Sequence, residues 1–239
     1  MTPLEKLKSI VEKEYESEDG DLYEVELLDG MSDEEIADFK QQLPNQYMPS
    51  EIEELLKYTR GFEFDGLEEV RFDTFGYFGF EELLPYSIEL AGDGFGNFWV
   101  LDIDSGGQWN SVYYVCHAPA VVVKHSENLA EFIEHVDEFG EKGSASNLDQ
   151  IHEETVMNIW QDKNEMPEDE EKDYDLSAIH HELPEMFMIA DLTNKPIKTG
   201  FAWGKSGPKA KIIRLSDQPI WIVEKKEKQG VLSRLFGRK

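Results

Sequence analysis

Residues Leu90 to Ala118 constrain the fold more than any other stretch of this chain, because they place two turns and two aromatic strands back to back. Gly92, Gly94 and Gly96 supply the positive φ angles that a tight connection needs. Trp99, Leu101 and Ile103 then alternate onto one face, the period of a half-buried strand. Gly106 and Gly107 mark the next turn, and Val112 to Cys116 read as the returning strand. The pattern predicts a β-hairpin pairing Phe98–Ile103 with Val112–Cys116. It sets no catalytic residue type at catalytic spacing.

Three helices precede the hairpin, each with a start signal. Thr2-Pro3-Leu4-Glu5 is a capping box with proline at the first helical position, followed by Leu4, Leu7 and Val11 on one face. Ser32-Asp33-Glu34-Glu35 is a second box, with Ile36, Phe39 and Leu43 as the apolar stripe until Pro44 stops it. Ser50-Glu51-Ile52-Glu53 reads as a third, with Ile52, Leu55, Leu56 and Thr59 inward and Gly61 as the stop. Asp21 to Asp29 is either a short edge strand or a loop. Gly61 to Phe80 reads as strands and turns whose seven aromatic residues belong to a sheet core. After the hairpin, Ala120 to Val123 is a further strand. Ser126 then caps a helix carrying Leu129, Phe132, Ile133 and Val136, ended by Gly140. This order predicts an α+β protein with helices segregated to one side of a mainly antiparallel sheet.

Beyond Gly140 the character changes. Glu141 to Asn147 is a small polar linker, and Leu148, Ile151, Thr155 and Ile159 suggest one more helix. Glu165 to Asp175 holds seven acidic residues and one lysine, a self-repelling acidic loop. From Met186 the period becomes two. Phe187–Leu192, Gly200–Gly204, Lys211–Leu215 and Ile220–Glu224 read as four short strands of a β-meander separated by turn residues. Residues 225–239 form a basic tail with Val231, Leu232, Leu235 and Phe236 on one side. The tail either folds back onto the acidic body or lies on an anionic membrane.

Charge is divided along the chain. Residues 1–194 carry 11 Lys+Arg against 48 Asp+Glu, whereas residues 195–239 carry 12 against 3. An acidic body repels nucleic acid, since binding phosphate requires basic groups that displace counterions. Direct nucleic-acid binding is therefore excluded, and a basic protein partner is favoured; the alternative reading is that the acidity serves solubility alone. No apolar run reaches the length of a membrane span, and the N-terminus lacks the pattern of a secretory leader, which implies a cytosolic protein. The single Cys116 fits a reducing compartment.

Each chemical motif fails on spacing. Gly200 to Ser206 resembles a phosphate loop but has three residues between its glycines where four are required. Asp102, Asp104 and Gly107 match three positions of a calcium loop, but Gly106 and Tyr113 stand where two further ligands belong. Cys116 and His117 are adjacent on a strand and point to opposite faces, as His180 and His181 diverge on a helix. No metal, cofactor or enzymatic activity is implied. The weakest alternative is a hydrolase with a diffuse carboxylate site.

Leu43-Pro44, the helix ending in Thr59-Arg60-Gly61, the Ala91-Gly92-Asp93-Gly94-Phe95-Gly96-Asn97 turn, the hairpin and the closing helix occur in an order that resembles the SUKH superfamily over about residues 30–140. That superfamily unites Syd, the yeast SMI/KNR cell-wall regulators and many bacterial immunity proteins. The resemblance implies a SUKH-like domain over residues 1–145 and fades beyond it, where the residues themselves read as a helix and acidic linker (146–185), a four-stranded β-rich extension (186–224) and the basic tail (225–239). It implies a non-enzymatic protein-binding module, foremost an immunity protein that neutralises a basic, nuclease-type toxin by occlusion. The alternative it implies is a regulatory or scaffold protein of the cell-wall-synthesis-regulator type. The expected partner-binding carboxylates are those near the sheet edge and its turns: Asp65, Glu68, Glu69, Glu81, Glu82, Asp93, Asp102 and Asp104.

Overall fold

The computed structural model describes residues 1–162, 174, 176 and 183–225, apart from Glu18, Glu68, Tyr77, Pro208, Ser216 and Asp217. The acidic loop, the His180-His181 pair and the basic tail from residue 226 lie outside the described residues, apart from Tyr174. The chain is α+β, with five α-helices among the described residues and a main sheet of antiparallel strands.

Helix α1 (Pro3–Val11) starts at the expected capping box: Glu5 N–H donates to Thr2 Oγ1 at 3.2 Å and Thr2 N–H to Glu5 Oε2 at 2.8 Å. Strands β1 (Glu14–Glu16) and β2 (Leu22–Glu24) form a short hairpin, followed by β3 (Glu26–Leu27). Asp21–Asp29 is thus strand over most of its length. Helix α2 (Asp33–Gln42) has the second capping box, Ser32 with Glu35, and buries Ile36 and Phe39. Helix α3 (Ser50–Tyr58) corrects the third. Ser50 lies inside the helix and Pro49 is the N-cap, without a side-chain bond, though Ile52, Leu55 and Leu56 are buried as expected. Strands β4 (Gly61–Glu63) and β5 (Val70–Arg71) join β3 in a three-stranded sheet ordered β3-β4-β5.

The main sheet comprises β6 (Ser87–Gly92), β7 (Phe98–Ile103), β8 (Trp109–His117) and β9 (Ala120–Ser126). The predicted hairpin is present, with Phe98 opposite Val115 and Leu101 opposite Val112. Gly94, Gly96 and Gly107 adopt positive φ, while Gly92 is the last residue of β6. Helix α4 (Leu129–Lys142) is capped by Asn128, whose Oδ1 accepts from Glu131 N–H at 3.0 Å. Ser126 remains in β9, and the helix runs past Gly140 to Gly143, where φ is +54°. Residues Ile151–Val156 form a π-helix that continues into α5 (Met157–Gln161).

Strands β10 (Phe187–Asp191), β12 (Ile212–Arg214) and β13 (Ile220–Glu224) form a sheet ordered β10-β13-β12. The expected four-stranded meander is corrected here. β11 (Gly200–Phe201) leaves its sequence neighbours and adds to the main sheet, whose order is β11-β9-β8-β7-β6. The reason is local: a Cβ on Gly200 would stand 2.1 Å from the Val122 carbonyl oxygen, so only glycine admits this approach.

The central hairpin is buried on both faces, not half-buried. Trp99, Leu101, Tyr114 and Cys116 face a core shared with Leu7, Leu55, Phe132 and Val136 of the helices. Val100, Tyr113, Val115 and Val122 face a second core built with Phe201, Trp221 and Val223. Burial pushes the Cys116 thiol up to about 11, in keeping with its reading as a small core residue. Arg214 of β12 forks onto Asp102 of β7, Nη2 donating to Oδ2 at 2.6 Å and Nη1 to Oδ1, with each side chain 4% exposed. The guanidinium also stands 5.5 Å from the Trp221 ring, and Trp221 Nε1–H donates to Leu83 O at 2.7 Å. These contacts pin the C-terminal sheet across the main one.

Candidate partner-binding surface

The short strands β1–β4 carry alternating carboxylates, and antiparallel pairing sets them face to face. Glu14 lies opposite Glu24 in the β1–β2 ladder, and Glu26 lies opposite Glu63 in the β3–β4 ladder. Like charges directly opposite on neighbouring strands destabilise a sheet. Among the described residues, none of these four has a lysine or arginine within ion-pair distance. The nearest cations of the N-terminal segment are turned elsewhere: Lys13 Nζ lies 2.7 Å from both Asp137 and Glu141, and Lys6 Nζ lies 3.5 Å from Asp137.

Two concavities share this face. One, of about 430 Å³, is lined by Glu24, Glu26, Glu63, Asp65 and Glu69 around Tyr23 and Phe64. The other, of about 510 Å³, is lined by Glu16, Asp19, Asp21, Asp65 and Asp149. They meet at Gly66, whose φ of +77° and position against the Phe139 ring, 2.9 Å from where a Cβ would stand, exclude a side chain. Among the described residues, neither is lined by a lysine or arginine. Burial, and then the charge of Asp65, push the Tyr23 hydroxyl up to about 12. Among the described residues no group of three or more His, Cys, Asp or Glu could hold a metal ion. The carboxylates are spread over a surface and do not converge on a point, an arrangement suited to a polycationic surface.

The expected site residues divide. Asp65 and Glu69 belong to this face, although Glu69 also accepts from Arg71 at 2.8 Å. Glu68 lies outside the described residues. Glu81, whose Oε1 accepts from Gly79 N–H at 3.1 Å, and Glu82 sit in the turn before β6, away from these concavities. Asp102 is buried in the ion pair with Arg214, which corrects its placement at an accessible sheet edge. Asp93 has its acceptor capacity engaged inside its own turn. Oδ1 receives Phe95 N–H and Asn97 N–H at 2.8 and 3.1 Å, and Oδ2 receives Asn97 Nδ2 and Tyr114 Oη at 2.6 and 2.8 Å. Although burial opposes ionisation, these bonds leave its carboxyl below the ordinary range. Asp104 accepts from Gln108 N–H at 2.9 Å and closes the hairpin turn, facing a different cavity of about 550 Å³. The expected residues therefore form no single surface. The residues that reasoning missed are Glu14, Glu16, Glu24, Glu26 and Glu63, whose signal was acidic alternation in short strands.

Among the described residues no helix is long and apolar enough to cross a membrane. No protein-family model, curated protein or solved structure matches the chain.

Proposed function

We propose that this chain is a non-enzymatic binding protein that captures a basic protein partner on the acidic face of β1–β4, in the manner of an immunity protein occluding a nuclease-type toxin. A nuclease presents Lys and Arg to hold phosphate, and a face rich in carboxylates competes for those groups. One observation carries the reading: Glu14 with Glu24, and Glu26 with Glu63, stand opposed as like charges with no cation between them among the described residues. Such pairs cost local stability, and a partner's cations relieve the repulsion on binding.

The test is a variant carrying E24K, E26K and D65K, which reverses one member of each opposed pair, titrated with decalysine by calorimetry at low and physiological salt. The unsubstituted protein binds the peptide at low salt and weakens steeply as salt rises. The variant loses that binding and melts no lower than the parent, because repulsive pairs have become attractive ones. Equal affinity for decalysine in both proteins would remove this face from consideration.

A further inference from the structure

Beside the acidic face, a cavity of about 610 Å³ opens between the turn after β6 and the residues around the π-helix, within the size range of small-ligand pockets. It shares Gly66, Phe139 and Asp149 with the acidic concavity next to it. Its walls are aromatic: Trp99 and Tyr114, with ring centroids 5.0 Å apart, then Phe139 and Phe95. Leu148 and Ile151, 2% and 4% exposed, supply aliphatic surface. Phe95 is 82% exposed at the tip of the turn, held there by the Asp93 network beneath it. The ring thus lines the cavity from an ordered turn.

The polar groups of the cavity have a definite sense. Asn97 Nδ2 donates to Asp93, and Asn97 Oδ1 accepts from the His117 backbone N–H at 3.0 Å, which fixes the amide's orientation. His117 Nδ1, 2.9 Å from the same Oδ1, therefore carries the proton, and in the neutral ring Nε2 is an acceptor. His152 follows the same logic, because Nδ1 faces Glu153 Oε1 at 3.1 Å and must donate. Its Nε2 is likewise an acceptor in the neutral ring. Asp149 and Glu153 add two exposed carboxylates. The cavity thus offers the exposed Phe95 ring and the half-buried Phe139 ring, backed by Trp99 and Tyr114 at 3% and 1% exposure, and a rim of acceptors.

We infer that this cavity is an anchor pocket for an arginine side chain of the basic partner. The inference rests on the proposed capture of such a partner and names the residue that seats first. A guanidinium is planar, purely a donor, weakly hydrated and suited to stacking on aromatic rings, so it matches both walls and rim. A lysine ammonium is a compact, strongly hydrated charge, and it gains less from the aromatic walls. Single aromatic-lined arginine anchors are typical of the few residues that carry most of an interface's energy.

The experiment compares decaarginine with decalysine on the full chain and on Phe95→Ala, by calorimetry at one low salt concentration. Phe95 is exposed, so its removal leaves the fold intact, checked by an unchanged melting temperature. The parent binds decaarginine at least about threefold tighter than decalysine, and Phe95→Ala brings that ratio toward one while leaving decalysine affinity unchanged. Equal affinities for the two peptides in the parent, or a ratio that persists in Phe95→Ala, overturns the arginine pocket and leaves the acidic face standing. Failure of both peptides to bind overturns the acidic face and the pocket together.

Discussion

The fork from Arg214 to Asp102 ties two sheets together, and its removal should be read as a thermodynamic cycle. Both side chains are 4% exposed, so neither charge can be resolvated if the other is deleted without rearrangement. Replacing Arg214 with methionine leaves the buried Asp102 carboxylate without the guanidinium charge that faces it, a loss of about 3–5 kcal/mol. For a chain of 239 residues this lowers the melting temperature by roughly 6–20 °C, at about 2–4 °C per kcal/mol. The double variant D102L/R214M removes both charges and fills the space with apolar atoms, so it regains most of the loss. Arg214→Lys restores charge without the fork or the flat face over Trp221, and falls between the two. Urea unfolding followed by tryptophan fluorescence reads all five proteins, the parent, R214M, the single D102L that completes the cycle, the double variant and R214K. A loss under about 1 kcal/mol for R214M, the value of an exposed pair, would refute the reasoning. So would a double variant whose loss equals the sum of the singles.

Two further predictions concern buried titratable groups. His125 lies with its ring 4.7 Å from that of His135, and burial lowers the pKa of both, reinforced at His125 by His135 and Lys198 and opposed at His135 by the carboxylates of Glu131, Glu138 and Glu134. Their folded forms stay neutral while the unfolded chain protonates below about pH 6.5, so stability falls as pH drops through that value, with a limit of about 1.4 kcal/mol per pH unit per histidine. His125→Gln flattens this slope, and an unchanged slope between pH 6.5 and 5.5 counts against it. Cys116, buried and with its thiol pushed up to about 11, should resist iodoacetamide at pH 8 in the native protein and react once unfolded; complete native labelling within minutes would contradict that environment.

The parts of the fold legible in the sequence are those whose causes are local. The capping boxes of α1 and α2 close within four residues, and the β7–β8 hairpin announces itself through its turns and its alternation. Ser50 and Ser126 do not cap, because a neighbour takes the position: Pro49 precedes α3 and leaves Ser50 in its first turn, and Asn128, two residues beyond Ser126, makes the capping bond of α4. Asp102 looked like a turn carboxylate until its partner, 112 residues away, was seen beside it. The acidic face has the same origin. Glu26 meets Glu63 only through the pairing of β3 with β4, which no local pattern specifies. The aromatic wall of the neighbouring pocket was visible as core aromatics, whereas its acceptor rim depends on the turn holding Asn97 against His117.

The placement of β11 has a consequence for how the chain is made. Synthesis runs from the N-terminus, and strands β7 to β9 emerge roughly 100 residues before β13, or about 5–20 s earlier at ribosomal rates of ~5–20 residues per second. Over that interval the sheet surface of Val100, Tyr113, Val115 and Val122 has only Phe78, Leu83 and Leu84 against it and lacks Phe201, Trp221 and Val223, and β9 is an outermost strand with open hydrogen-bonding groups. The nascent chain therefore passes through a stage that carries both ingredients of edge-to-edge association, and Gly200, by letting its own backbone dock on β9, is the residue that ends it.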